Sequence, residues 1–319
     1  MSNVFELTIL GTSSAAPTRN RQPTAQVLNV NDRLYLIDCG EATQIQLKRY
    51  KIKFSKIDHI FISHLHGDHY LGLLGLISSM HLEGRTSDLH IYGPKGLDEI
   101  INIQLKYSQS QLKYAIHFNE VDTEINKVLL SNNQITVSSI PLKHRIPCAG
   151  YLFQESQKQR KIRKDKLEEY QIPINQINDI KDGADYITES GEIIPNDELT
   201  LPPAPSRSLA YCSDTAYHED IIPIIQGVDL LYHEATFMED LSDRAHETNH
   251  STTIEAGRIA HKAKVKKLII GHFSARYADL EPLLEETKTV FENSYLAIEG
   301  ETYSGEATTA SKNSPEVIT

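Results

Sequence analysis

The chain has 319 residues, 39% apolar and 24% charged, enough for one large layered domain or two average ones. Its formal net charge of −11 argues against a generally basic nucleic-acid coat, though not against a local basic patch. Three scattered cysteines (Cys39, Cys148, Cys212) with no C-x-x-C pair suit a reducing compartment and a metal site not built on thiolate; with no span of membrane length, a cytoplasmic protein is expected.

In chain order, residues 4–10 read as a first strand and not as a signal peptide. Residues 24–30 and 33–38 form a hairpin turning at Asn31-Asp32. Helical spacing over 41–51, a strand at 57–63 and a helix over 68–82 follow. Further strands are expected at 89–92, within 115–140, and at 208–213, 229–233 and 267–272, with helices near 95–106, 252–264 and 280–290. Hairpins mixed with crossover helices predict two mixed sheets covered by helices, an α/β four-layer αββα sandwich. Residues 156–206 break the pattern: polarity rises, prolines cluster, and Lys158 to Lys166 holds six bases against one acid. A segment of this length reads as a protruding functional insertion or as a solvated face. The domain expected is 1–303 with this insertion, followed by a small, polar, disordered tail at 304–319.

The most informative stretch is His64-Leu65-His66-Gly67-Asp68-His69, directly after an apolar strand. Three imidazoles and a carboxylate in six positions suit zinc and its neighbours. Continued strand geometry would put His64 and His66 on one face, with Asp68 and His69 beyond a turn at Gly67. Other strands run toward His144, Asp214, His233-Glu234 and His272, so ligand-type residues gather at strand C-termini. Seven donors fit two four-coordinate ions if one carboxylate bridges them. His64, His66, His144 and Asp214 complete the first; Asp68, His69, His272 and the same Asp214 complete the second. A pair about 3.5–4 Å apart activates a bridging water and clamps an in-line phosphoryl displacement, with Asp68 available to take the proton. Taken singly, His144 and His272 could be core histidines. His59, His81, His90, His117, His218, His246 and His261 have no donor cluster beside them and suit packing or surface roles. His250 precedes a helix that Ser251 or Thr252 could cap, yet near Glu234 it could protonate a leaving oxygen.

Taken together, these residues resemble the metallo-β-lactamase superfamily and, within it, the ribonuclease Z family, over nearly the whole chain. The carriers are the runs 11–17, 38–44, 64–69 and 92–96, then Ser213-Asp214-Thr215, His233-Glu234-Ala235-Thr236-Phe237, His250-Ser251-Thr252 and His272 to Tyr277. The histidine run marks only the superfamily; the segments at His233, His250 and Ser274 to Tyr277 point to the family. The resemblance implies two zinc ions per subunit, with manganese or iron also compatible with a His/Asp pair of sites. It implies Asp68 as proton acceptor, and Glu234 and His250 cooperating at the scissile phosphate with Arg276 nearby. It makes 156–206 a flexible arm that grips precursor tRNA, often from the partner of a homodimer, through Lys158, Arg160, Lys161, Arg163 and Lys164. Arg19 and Arg21 fall in the loop that senses whether a trailer begins with CCA. The expected activity is removal of 3′ trailers from pre-tRNA, leaving a 3′-hydroxyl on the tRNA. Two departures stand out: the arm has Ile172-Pro173-Ile174-Asn175 and no Gly-Pro, and Thr18 to Gln22 only approximates the basic loop. Rival readings are a same-fold phosphodiesterase or sulfatase for small substrates and a metal-stabilised RNA-binding scaffold without turnover.

Overall fold

Alternation in Phe5-Glu6-Leu7-Thr8-Ile9 sends Phe5, Leu7 and Ile9 into a core shared by two sheets. The computed structural model describes residues 4–305. In chain order the strands of the body begin with β1 (Phe5–Gly11), β2 (Ala25–Val30), β3 (Arg33–Ile37), β4 (Ile57–Phe61), β5 (Leu89–Gly93) and β6 (Ile116–Glu120). They continue with β7 (Val128–Ser131), β8 (Ile135–Pro141) and β9 (Ala149–Glu155). Four short strands of the insertion follow, β10 (Lys161–Ile162), β11 (Tyr186–Ile187), β12 (Ile193–Ile194) and β13 (Thr200–Leu201). The last are β14 (Ser208–Cys212), β15 (Leu230–Glu234), β16 (Lys267–Gly271), β17 (Ser294–Leu296) and β18 (Thr302–Ser304).

One seven-stranded sheet has the order β18-β1-β2-β3-β4-β5-β6, the other β17-β16-β15-β14-β9-β8-β7. The hairpin β2–β3 turns where expected, with Asn31 and Asp32 both left-handed (φ 50° and 70°), which matches the twist of the paired strands. From β3 to β6 the strands run parallel, joined by helices Thr43–Arg49, Leu73–Leu82 and Leu97–Tyr107. Leu47, Leu76, Met80 and Ile101 of these helices pack on the outer face of the first sheet, against Val27, Leu36, Ile60 and Ile91. Ala256, Ile259 and Leu283, from helices Thr253–Lys262 and Glu281–Lys288, cover the second sheet in the same way. Helix, sheet, sheet and helix make the four expected layers.

Three local expectations change. β4 stops at Phe61, so His64 and His66 lie in a loop, and Gly67 opens a short helix, Gly67–Tyr70, where a turn was expected. The helix expected over 68–82 is broken before Leu73, where the Gly72 N–H donates to the Cys39 carbonyl at 2.9 Å; a Cβ at Gly72 would stand 2.0 Å from the Gly40 carbonyl oxygen. Ser304 pairs with Glu6 in β18, so the chain is still in strand where a disordered tail was expected; 306–319 lie outside the described residues.

The chain divides into two compact units, of which Glu155–Ser206 is one. This unit carries its own small core of Ile172, Ile180, Tyr186, Ile194 and Leu199. Two hairpin-like pairs, β10–β13 and β11–β12, frame it. Buried Asn196 ties it together, its amide donating to the carbonyls of Ile180 and Ala184 at 2.6 and 2.7 Å. Local polarity hid this order, because five buried apolar side chains spread over a long polar segment give no periodic signal.

Candidate metal and catalytic centre

The C-terminal ends of β4, β8, β14, β15 and β16 deliver the predicted donors to one place. His64, His66, His144 and Asp214 offer one ligand atom each within 4.8 Å of one another. Asp68, His69 and His272 form a second such group, and Asp214, Glu234, His250 and His272 a third. The two oxygens of Asp214 face different ways. Oδ2 lies 3.5 Å from His64 Nε2 and 3.7 Å from His144 Nε2. Oδ1 lies 3.2 Å from His69 Nε2 and 3.1 Å from His272 Nε2. Asp68 Oδ2 closes the second group, 3.4 Å from His69 Nε2 and 3.3 Å from His272 Nε2. In a tetrahedral site with bonds of about 2.0–2.2 Å, neighbouring ligand atoms stand about 3.3–3.6 Å apart, so these spacings and donors fit a divalent ion.

Four of the five imidazoles, those of His64, His69, His144 and His272, are fixed by their remote nitrogen. His144 Nδ1–H donates to the Asn249 carbonyl at 2.9 Å. His69 Nδ1–H donates to Asp38 Oδ2 at 2.8 Å, and His64 Nδ1 stands 3.0 Å from the Ser63 hydroxyl. His272 Nδ1 stands 3.0 Å from the Thr236 hydroxyl. Such partners set the tautomer and aim the other nitrogen at the shared space. The fit is held against backbone preference: Asp38, Asp214 and His272 are left-handed at φ 55°, 59° and 57°, conformations that survive in non-glycine residues when surroundings over-determine them.

Charge is arranged to match. Burial opposes ionisation of Asp68, but His69 and the hydrogen bonds from His272 and His69 hold its carboxyl well below the usual carboxylate range. Asp214 is likewise held down by His272, His69 and His64 against its burial. Burial lowers His64, His66 and His144, which keeps them neutral and able to donate a lone pair. The backbone N–H of Ala15, itself left-handed, donates to Asp68 Oδ2 at 2.7 Å.

Beside the groups lies a dyad. His250 Nδ1–H donates to Glu234 Oε1 at 2.8 Å, and Glu234 also accepts from Thr215 N–H at 2.7 Å and from the Thr236 hydroxyl at 2.6 Å. Burial pushes the His250 imidazole down, but Glu234 outweighs it and raises it to about 9. Its ring stacks on that of His272 at 5.4 Å and lies 5.1 Å from that of His144. Helix capping is handled separately: Thr252 and Glu255 form a capping box for Thr253–Lys262. So the helix start does not account for His250.

The predicted substrate contacts are placed unevenly. Arg19 and Arg276 are exposed, with Arg276 over the Phe237 ring at 5.3 Å. Arg21 instead donates to the carbonyls of Tyr277 and Ser274 at 2.8 and 3.1 Å, fastening two loops of the body. In the other unit, Lys158 pairs with Glu155, Arg160 with Asp197 and Arg163 with Asp165, while Lys161 and Lys164 are exposed with no ion pair among the described residues. The remaining histidines behave as packing or surface groups: His59, His90 and His117 stack in a row across β4, β5 and β6, and His246 pairs with Glu255. Sequence reasoning did not single out Asp38, Ser63, Thr236 or Asn249 as partners of the ligands. Only Asp38 left a signal, a carboxylate at a strand end before Cys39-Gly40.

Among the described residues, no helix is long and apolar enough to cross a membrane. A family model described as the anti-Pycsar protein Apyc1 matches residues 5–160. Ribonuclease Z of Bacteroides thetaiotaomicron is 50% identical over 295 residues, covering 92% of this chain and 93% of its own. Ribonuclease Z of Cytophaga hutchinsonii is 48% identical over 300 residues, 94% of this chain and 96% of its own. The solved short form of human tRNase Z superposes with a TM-score of 0.69 at 26% identity, over 95% of this chain and 100% of that one. A diphosphatase of the PhnP family, with a TM-score of 0.61 at 19% identity over 94% of this chain and 98% of its own, shares the fold alone. The chain belongs to the ribonuclease Z family, metal-dependent phosphodiester hydrolases of the metallo-β-lactamase fold.

Proposed function

We propose that the chain is a zinc-dependent endoribonuclease that removes 3′ trailers from precursor tRNA and leaves a 3′-hydroxyl on the tRNA. The observation that carries this reading is a pair of donor groups sharing Asp214, flanked by a His250–Glu234 dyad. His64, His66, His144 and Asp214 would hold one ion; Asp68, His69, His272 and the same Asp214 would hold the other. Zinc suits the histidine-rich set, and manganese or iron is compatible with it. Ions bound there would acidify water and neutralise charge on a phosphodiester.

The chain's own groups do the rest. Asp68, ionised and fastened by Ala15 N–H, accepts a proton from the attacking water. Glu234 keeps His250 charged and turned by its Nδ1, so that Nε2–H can protonate the departing 3′-oxygen. Exposed Arg276 supplies positive charge near Phe237 for the substrate backbone. Residues 156–206 act as the substrate-binding arm on a catalytic domain spanning 1–303, with Lys161 and Lys164 exposed and without an ion pair among the described residues and Lys158, Arg160 and Arg163 held in local pairs. A homodimer in the cytoplasm, with arm and centre serving one tRNA from different subunits, completes the reading. The small-diester or sulfate-ester alternative leaves this unit without a purpose.

A synthetic precursor tRNA with a 3′ trailer tests the proposal. One cut that yields a 3′-hydroxyl, lost with chelator and restored by zinc, is expected. Cleavage that ignores the chelator, or none with metal supplied, overturns it.

A further inference from the structure

Asp38 is fully buried and its carboxylate collects four donors. Oδ1 accepts from Ser63 N–H at 2.7 Å. Oδ2 accepts from the Ser63 hydroxyl at 2.9 Å, from His69 Nδ1–H at 2.8 Å and from the Tyr211 hydroxyl at 2.5 Å. Through these bonds one carboxylate reaches both donor groups. It orients His69 directly, and it orients His64 through Ser63, whose oxygen stands 3.0 Å from His64 Nδ1.

Three of the four donors belong to residues 63 and 69, in the segment that carries the ligands. Tyr211 alone comes from the other sheet. It lies in β14, three positions before Asp214, whose two oxygens face the two groups. Its ring stacks on Tyr232, centroids 5.1 Å apart, and both side chains are fully buried. The hydroxyl of Tyr232, by contrast, has no hydrogen-bond partner among the described residues.

We propose that Tyr211 is a positioning residue for the metal centre: its hydroxyl fixes Asp38, and so sets ligands carried by the first sheet against Asp214 carried by the second. A buried carboxylate that loses a charge-assisted donor must reorient or draw harder on those left, and both move His69 and His64 away from the geometry Asp214 requires. The inference rests on the reading of the two groups as metal sites.

The test is metal affinity of the purified full chain, by zinc titration against a competing chelator, with the visible spectrum of the cobalt-loaded protein as a second readout. Tyr211→Phe keeps the stacked ring and should weaken binding of both ions by about tenfold and shift the cobalt bands. Tyr232→Phe, equally buried, should change neither. In an Asp38→Asn background, Tyr211→Phe should cost nothing further, because the hydroxyl acts through that carboxylate. Should Tyr211→Phe not fold, Ser63→Ala removes another donor from the same Asp38 oxygen and must show the same weakening. Unchanged affinity in Tyr211→Phe, an equal loss in Tyr232→Phe, or additive losses with Asp38→Asn would overturn the proposal. Wild-type protein that binds no metal overturns the metal reading and this inference together; normal wild-type binding with an indifferent Tyr211→Phe overturns the inference alone.

Discussion

Replacing Glu234 by Gln should move the pH dependence of cleavage more than its maximum. Glutamine keeps an oxygen for Thr215 N–H and His250 Nδ1–H but removes the charge that raises His250 to about 9. A raised histidine is protonated below its value and loses the proton as pH rises through it, so wild-type activity should fall only above about pH 9. Without the carboxylate the imidazole falls back toward its ordinary 6.5, since only Asp214 and Asp68 then oppose burial. For a full return to 6.5 the protonated fraction at pH 8 drops from about 0.9 to about 0.03, so the loss there is at most roughly thirtyfold, whereas at pH 6 the fractions differ by less than about 1.5-fold. Single-turnover cleavage of the trailer-bearing precursor from about pH 5.5 to 9.5, with metal content checked at each point, reads this out. A uniform loss at every pH, or an alkaline limb that stays near 9, would refute His250 as the proton donor.

Other perturbations test other links. Removing 156–206 should abolish cleavage of precursor tRNA and spare hydrolysis of a small phosphodiester; Gln154 and Ser208 are paired across β9 and β14, so a short linker closes the gap. Survival of both activities would remove the arm from the account. Gly271→Ala places a Cβ 2.2 Å from the buried Tyr232 hydroxyl and should cost about 1–3 kcal/mol in urea unfolding, and an unchanged midpoint would show that the packing there is loose. Burial pushes Glu299 from 4.5 up to about 7, against the hydrogen bonds from Gln22 and Gln46. Within that window the unfolded chain gives up its proton first, so stability falls as pH rises from 4.5 to about 7 and is then level. Allowing for partial exposure, the fall is about 1–2 kcal/mol, and Glu299→Gln should flatten it; an equal slope in both proteins would assign it elsewhere.

The gathering of the candidate donors was legible because ligand-type side chains stand out at strand ends. His64 to His69, His144, Asp214 and His272 could be read from chemistry and position alone, and so could the strands that carry them. The broken helix at Gly72 was not legible, since its N–H answers to the Cys39 carbonyl, more than thirty positions away in sequence. The insertion read as polar irregular chain, yet it closes around Asn196 and a handful of spaced apolar side chains. Thr236 as a partner of His272, and Tyr211 as the partner of Asp38, were invisible for a related reason. Each is an ordinary residue in an ordinary strand or loop, and only the tertiary fold reveals what its polar atom meets. Arg21 shows the converse: a basic loop residue suggested a substrate contact, and its guanidinium is spent on two backbone carbonyls.

The most direct test of the account is Asp68→Ala, assayed for precursor cleavage, precursor binding and bound metal in one preparation. The Asp68 carboxylate lies within 3.4 Å of His69 and His272 and is held by Ala15 N–H. The variant is predicted to bind precursor as the wild type does and to cleave it at least about a thousandfold more slowly, even with the first ion still bound. Undiminished cleavage with intact metal content would contradict the mechanism at its centre.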